Sequence, residues 1–173
     1  MMKQIRVSYL IAFVALCLAV VIPVVVRMVA APEVAVIEIE EADGSLRSIT
    51  QSDLDGLTKL ERRGTYQNQF FNWRDEGVYG GALLSDILGD AEYETAIVIA
   101  SDGYRCEIPR FRIDDSEFPM ILATSFDGLA IPDWSDGPRI AVLPEDGDVS
   151  NEEYDAVSAG SFWVKNVARI VLE

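Results

Sequence analysis

The sequence predicts an α+β domain built mainly from antiparallel sheet, with a few short helices. Short runs of Val, Ile and Leu recur along the chain and are separated by turn signals such as Asp43-Gly44 and Asp102-Gly103. Helical spacing of apolar residues is confined to brief segments. Many short strands with few helices are typical of this fold class.

The first elements form a hairpin and a helix. Ala35–Glu40 alternates Val and Ile with smaller or acidic residues and is predicted to be a strand. Leu46–Ile49 follows a turn and is expected to pair back with it. A helix should come next, capped by Thr50 or Ser52 and extending through Leu60.

The middle and end of the chain predict further strands. Thr65–Trp73 is rich in aromatic residues and glutamine and is expected to be extended, whereas Leu83–Leu88 has helical spacing and is closed by Gly89. The remaining predicted strands are Thr95–Ala100, Tyr104–Ile108, Met120–Ala123, Ile140–Leu143 and Val167–Leu172.

An uncharged apolar run from Leu10 to Val26 precedes the domain, and Lys3 and Arg6 precede the run. A stretch of this length can cross a bilayer, and the positive-inside bias places the N-terminus in the cytoplasm. We therefore expect residues 1–8 to be a cytoplasmic N-terminus, 9–30 a transmembrane signal anchor and 34–173 an exported domain. The protein would be a single-pass inner (plasma) membrane protein with its C-terminal domain on the periplasmic, extracytoplasmic side.

A cleaved signal peptide is the alternative reading of the same segment. Val29 and Ala31 offer small residues for a cleavage site, but Pro32 follows directly and hinders cleavage there. Both readings export the domain, and the anchor is the prediction adopted here.

The charge of the exported part excludes several partners. All 29 acidic residues follow Pro32, whereas three of the 14 basic residues precede it, which leaves 11 bases and a formal net charge of −18. Nucleic acids and anionic lipid head groups are bound by clustered positive charge. The sequence therefore predicts no nucleic-acid partner and membrane contact through the N-terminal helix.

Histidine is absent, and cysteine occurs only at Cys17 and Cys106. The commonest metal ligand and the commonest general base at neutral pH are therefore missing. Cys17 lies in the apolar segment and Cys106 in the domain, so the two are not expected to pair within one chain. Because Cys106 shares one face of a predicted strand with Tyr104 and Ile108, it is expected to be a small buried hydrophobe.

Several phrases, in order, resemble the sulfite oxidase-like, molybdopterin-binding oxidoreductase family. They cover the exported domain from about residue 36 to the end of the chain. The phrases are Tyr79–Leu88, Ala100–Tyr104 followed by Ile108-Pro109, Leu122-Ala123 followed by Asp127-Gly128, Gly137–Pro144 and Trp163–Val167.

The resemblance implies that fold, but one expected group is missing. In catalytic members a cysteine thiolate upstream of the tryptophan-glycine helix start ligates molybdenum. The corresponding residues here, 62–73, contain no cysteine, and Cys106 lies beyond that helix. Without a thiolate there is no soft donor for molybdenum. No cofactor is therefore expected, with molybdopterin as the alternative.

Arginines supply the candidate ligand-binding residues. The resemblance places the segments of Arg74 and Arg139 beside the cofactor pocket, and Arg105 and Arg110 flank the exit of a hairpin. Gathered around one cleft, such side chains could bind a small anion in a bidentate manner; pairing with surplus carboxylates on the surface is the alternative. Trp134, in a loop between Pro132 and Gly137, is the candidate aromatic contact. No catalytic residue and no metal ligand is predicted.

The sequence thus predicts a membrane-anchored, non-catalytic binding module with a degenerate molybdopterin-oxidoreductase fold. Its ligand would be a small anion or a membrane or periplasmic partner protein. The alternative is a molybdopterin-dependent oxidoreductase that binds its cofactor without a cysteine ligand.

Overall fold

A computed structural model describes residues 34–173, which fold as two β-sheets with short helices between the strands. The predicted cytoplasmic N-terminus and transmembrane anchor, residues 1–8 and 9–30, lie outside the described residues. Within residues 34–173, no helix has both the length and the apolar character needed to cross a bilayer. The predicted α+β class, dominated by sheet, is confirmed for residues 34–173.

Sheet A has five strands in the order β2-β1-β11-β5-β6. Its strands are β1 (Ala35–Glu40), β2 (Leu46–Thr50), β5 (Thr95–Ala100), β6 (Arg105–Pro109) and β11 (Val167–Leu172). The pair β1–β11 is parallel and the others are antiparallel. Alternation in β1 buries Ile37 and Ile39, while Glu38 points outward and accepts a hydrogen bond from Arg169 at 2.8 Å.

Sheet B is formed by the remaining strands, in the order β10-β3-β4-β7-β8, with β9 also pairing with β7. These strands are β3 (Lys59–Gln67), β4 (Trp73–Leu83), β7 (Met120–Phe126), β8 (Leu129–Ala130), β9 (Arg139–Val142) and β10 (Asp148–Val149). All pairs are antiparallel except β3–β10. Strands β7 and β9 are almost entirely buried, so sheet B supplies much of the hydrophobic core.

The helices are α1 (Gln51–Asp55), α2 (Leu84–Leu88) and α3 (Arg110–Ile113), followed by a 3₁₀ turn at Ala159–Phe162. A capping box begins α1: the Thr50 hydroxyl accepts from the Asp53 amide, and the Asp53 carboxylate accepts from the Thr50 amide at 2.8 Å. Helix α2 confirms the spacing of Leu84, Ile87 and Leu88, which are all buried.

Two sequence expectations were wrong in part. The helix predicted to reach Leu60 ends at Asp55, because Gly56 caps it and Lys59 already pairs with Ala82 on β4. The stretch 65–73, predicted to be continuously extended, contains the turn between β3 and β4, closed by a hydrogen bond from the Asn68 amide to the Asn72 carbonyl.

The long strand β4 was not predicted, because its sequence WRDEGVYGGAL is rich in residues with low strand propensity. The glycines of β4 are explained by close packing against β7. The ladder between β4 and β7 is irregular at Gly80 and Gly81, and a Cβ on Gly81 would collide with the Leu122 carbonyl and lie 2.7 Å from the Ala123 Cα. Only glycine permits the close approach of these two backbones.

We predict that Gly81→Ala destabilises the domain by about 3 kcal/mol, because the clash is with backbone that cannot move aside. Gly56→Ala is the matched control: the φ of Gly56 is −81°, and its nearest contact to a new Cβ is 3.5 Å away. Urea unfolding of both variants measures the difference. Equal midpoints would contradict the packing role of Gly81.

Candidate functional site

A buried arginine lies where four segments of the chain meet. Arg139 begins β9 and is only 2% exposed. Around it lie a ring from the end of β3, a carboxylate and a ring from β4, and two side chains from the segment between the 3₁₀ turn and β11. We call these residues the Arg139 cluster: Arg139, Tyr66, Asp75, Tyr79, Trp163 and Lys165.

The central contact is an ion pair. Arg139 Nη2 donates to Asp75 Oδ2 at 2.7 Å, and both tyrosine hydroxyls lie at the outer limit of hydrogen bonding, at 3.4 Å for Tyr79 and 3.5 Å for Tyr66. The Tyr79 hydroxyl donates to the Asp75 carbonyl at 2.6 Å. Arg139 Nε has no partner among the described residues. The guanidinium is therefore held mainly by one carboxylate.

Aromatic rings enclose the remaining sides of the guanidinium. Its Cζ lies 5.4 Å from the Trp163 ring centroid, 5.6 Å from that of Tyr79 and 5.7 Å from that of Tyr66. These distances suit cation–π attraction, which is stronger when the cation is desolvated. Trp163 also packs edge-on against Tyr79, at 5.1 Å between centroids. The rings fill the space that an external ligand would need in order to reach Arg139.

Lys165 links the cluster to the surface. Its Nζ lies 3.2 Å from Asp75 Oδ2 and 2.7 Å from Asp136 Oδ2. Burial lowers the pKa of Lys165, but hydrogen bonds to Asp136 and Asp75 raise it by more. Two cations and two carboxylates thus neutralise one another, and the site carries no surplus positive charge to attract an anion.

The titratable groups of the cluster are fixed in single states at neutral pH. Burial raises the pKa of Asp75, but the hydrogen bond and charge of Arg139, aided by Lys165, lower it by more, so the carboxylate stays ionised. Burial raises the pKa of Tyr79 far above its usual range and also raises that of Tyr66. None of these groups is poised to exchange protons near pH 7, as a general acid or base would be.

No hydrogen bond or ring contact among the described residues joins the other predicted site residues to Arg139. The Trp134 ring centroid nevertheless lies 6.1 Å from that of Tyr79, and Arg74 directly precedes Asp75. Arg74 and Arg105 are exposed on β4 and β6, in different sheets. Arg110 is half-buried, lies over the Tyr93 ring and bonds to Asp114 and to the Ala91 carbonyl. Arg110 and Arg139 have different hydrogen-bond and ring partners, and within residues 34–173 no side chain bridges any two of the four arginines.

Trp134 is buried, at 7% exposure, and stacks on Phe126 with 5.7 Å between ring centroids. Asp75, Tyr66, Tyr79 and Lys165 were missed by sequence reasoning. The two tyrosines stand in an aromatic stretch and beside a glycine pair, but nothing in the sequence distinguishes Asp75 from the other carboxylates.

Residues 62–73, which the resemblance aligns with the molybdenum-ligating region, comprise the second half of β3, the exposed turn and the first residue of β4. The β3 part is packed: a Cβ on Gly64 would lie 2.5 Å from Leu143 Cδ2 and 2.9 Å from the Trp163 ring. Thr65 is buried, and its hydroxyl donates to the Arg74 carbonyl at 2.9 Å. These residues offer neither a soft donor nor space, so they do not fit a molybdenum–pterin group.

No group of three or more Cys, Asp or Glu side chains within the described residues is arranged to hold a metal ion. Cys106 lies on the buried face of β6 with Ile108, as its alternation predicts. Burial, with a small effect of Glu107, raises the pKa of the Cys106 thiol to about 11. The thiol is therefore protonated at neutral pH and is a poor ligand and nucleophile.

The domain is similar to the crystal structure of the sulfane dehydrogenase SoxCD from Paracoccus pantotrophus, with a TM-score of 0.56 and 16% sequence identity. The similarity covers 79% of this chain and 37% of the SoxCD chain. This chain therefore corresponds to well under half of the length of the SoxCD chain. At this identity, the similarity shows a distant common fold. No protein-family model and no curated protein matches this sequence.

We predict that Asp75→Asn destabilises the protein by about 3 kcal/mol, because it leaves the buried Arg139 guanidinium without its carboxylate. Asp136→Asn is the matched control: it removes an aspartate that pairs with the same Lys165 in a more exposed position, and should cost less than about 1 kcal/mol. Chemical denaturation at pH 7 measures both. Similar decreases in the free energy of unfolding would show that the Asp75–Arg139 pair contributes no more to stability than the exposed pair.

The pH dependence follows from the lowered pKa of Asp75. A carboxylate with a depressed folded-state pKa contributes stability above its unfolded pKa, about 3.9, and loses that contribution as the pH falls through the folded value. The difference in melting temperature between the wild type and Asp75→Asn should therefore be full at pH 6 and shrink below pH 4. A difference that stays constant down to pH 3 would contradict this assignment.

Cys106 should react slowly with thiol reagents in the folded protein, because it is buried and its thiol is protonated. A Cys17→Ser variant isolates Cys106 as the only thiol. At pH 8 we expect slow labelling in buffer and complete labelling after unfolding. Rapid labelling of the folded variant would show an accessible, activated thiol.

Proposed function

We propose that this protein is a membrane-anchored, non-catalytic binding module built on the molybdopterin-oxidoreductase fold. The observation that carries the proposal is the enclosure of the Arg139 guanidinium by Asp75 and three aromatic rings. The resemblance to the oxidoreductase family places this region beside the cofactor. Here the same region is occupied by the protein's own side chains.

A partner protein is a better ligand than a small anion. The Arg139 guanidinium is 2% exposed and enclosed by three rings, so an anion could reach it only by displacing those rings or Asp75. Loss of Asp75 from the pair would leave a carboxylate without its counter-charge. The exposed arginines, Arg74 and Arg105, lie in different sheets and do not form one fork-shaped site. Three large aromatic side chains within four positions, Phe70, Phe71 and Trp73, are exposed instead, which supports a macromolecular contact surface.

The location follows from the sequence expectations. With residues 9–30 as anchor, the domain lies on the periplasmic, extracytoplasmic side of the inner membrane, and the partner is a membrane or periplasmic protein. The charge of −18 beyond Pro32 disfavours nucleic acid. A cofactor-dependent oxidoreductase is the competing function, and it requires molybdenum to be held without a thiolate.

We expect protein purified from a molybdenum-replete host to contain far less than one molybdenum per chain. The packed β3 segment and the absence of cysteine from residues 62–73 are the reason. Elemental analysis measures this, with a molybdopterin enzyme from the same host as the positive control. Stoichiometric molybdenum would favour the oxidoreductase.

A thermal-shift comparison separates the small anion from the partner protein. Sulfate, phosphate and acetate should stabilise the domain no more than chloride at equal ionic strength, because the Arg139 cluster is internally neutral. A saturable shift that is lost in Arg74→Ala or Arg105→Ala would instead support an anion site on the exposed arginines.

A further inference from the structure

The turn between β3 and β4 presents an exposed group of aromatic side chains. Phe70 is 71% exposed, Phe71 is 69% exposed and Trp73 is 46% exposed. We call these three residues the aromatic tip. Apolar rings of this size usually lie in a core, and three of them within four positions form an exposed apolar patch.

Hydrogen bonds hold the backbone of the tip in one conformation. Asn68 Oδ1 accepts from the amides of Phe70 at 2.9 Å and Asn72 at 3.1 Å, and the Phe71 amide donates to the Asn68 carbonyl at 2.9 Å. Phe71 has a φ of 60°, in the left-handed region that bulky residues seldom adopt. The rings are thus presented to solvent by a defined turn.

The tip also differs in charge from the rest of the domain. From Arg62 to Arg74 the chain has three arginines and no acidic residue, within an exported part of charge −18. Arg74 is exposed, and within residues 34–173 its guanidinium makes no ion pair with a carboxylate. Asp75, the next residue, is engaged by Arg139. Arg63 is ion-paired with Glu76 and Asp148, and Arg62 donates to the Leu143 carbonyl, so Arg74 supplies the one arginine side chain beside the tip that has no ion-pair or hydrogen-bond partner among residues 34–173. The tip therefore combines exposed aromatic rings with one unpaired guanidinium.

The tip lies toward the end of the domain where β1 begins. The start of β1, the start of β11, the end of β5 and the start of β6 share one end of sheet A. The Tyr104 hydroxyl, just before β6, donates to the Ser161 carbonyl at 3.1 Å, and the adjacent Gly160 packs against the Tyr66 ring near the end of β3. The 3₁₀ turn at Ala159–Phe162 thus links this end of sheet A to the end of β3 from which the tip projects.

We propose that the aromatic tip inserts into the interfacial region of the lipid bilayer that holds the protein. The inference rests on the proposed anchor at residues 9–30. Residues 31–33 then separate the anchor from Val34, so the connecting chain can span at most about 14 Å.

The chemistry of the tip suits a lipid surface. Aromatic rings favour the boundary between head groups and acyl chains, and tryptophan places its N–H toward water there. The aliphatic stem of Arg74 can lie along that boundary while its guanidinium contacts a phosphate. A second contact with the bilayer would limit rotation of the domain about its anchor.

Tryptophan emission provides a direct test on the full-length chain. The protein has three tryptophans, all within the described domain. Trp134 and Trp163 are buried at 7% and 4% exposure, so Trp73 is the one available to lipid. In phosphatidylcholine vesicles with brominated acyl chains, we expect emission to be weaker than in unbrominated vesicles. In Trp73→Phe, emission should be the same in both.

Two further variants test whether the phenylalanines hold the tip in the bilayer. Phe70→Ser with Phe71→Ser should reduce the quenching of Trp73. Phe111→Ser is the matched control, because Phe111 is also a largely exposed phenylalanine, at 68%. It lies on α3, which follows the last residue of β6, whereas Arg105 is the first residue of that strand. It should leave the quenching unchanged.

Flotation of the vesicles separates the two levels of the proposal. If the chain does not float with vesicles, both the anchored function and the docking of the tip are overturned. If it floats but emission is equal in brominated and unbrominated lipid, the anchor stands and the docking of the tip is overturned. A blue-shifted Trp73 emission that bromine does not quench would assign the tip to a protein contact, including a second copy, and would equally overturn the proposal.

Discussion

The guanidinium of Arg139 carries a full positive charge inside the domain, and a buried charge is tolerated only when it is paired. Its carboxylate partner comes from β4, its aromatic neighbours from β3, β4 and the segment before β11, and the arginine itself from β9. Sheet B and the approach to the central strand of sheet A are therefore joined at one point. Removal of the pair affects four segments together.

The same constraint explains what could be predicted from the sequence. Strands such as β1 and β5 were predictable because alternation and apolar runs report burial directly. Arg139 was singled out because glycine and proline precede a buried strand. Asp75 was not, since its role depends on which carboxylate the fold brings to Arg139, and one aspartate among 29 acidic residues has no local signature. Strand β4 was missed because its glycines serve close packing and weaken its strand propensity.

The common fold with a sulfane dehydrogenase structure carries no activity by itself, because function depends on the groups placed in a site. In this chain, the Arg139 guanidinium is surrounded by rings and by a set of ion pairs that balance its charge. Exposed aromatic side chains, and Arg74 without a carboxylate partner among residues 34–173, lie on the outer surface.

The position of β11 has a consequence for the order of assembly. The last strand in the sequence lies in the middle of sheet A, between β1 and β5. Before residues 167–172 are available, β1–β2 and β5–β6 are two separate hairpins, and isolated hairpins are marginally stable in water. Sheet A can therefore close only when residues 167–172 have joined the two hairpins, so a single strand distant in sequence from both decides whether the sheet forms.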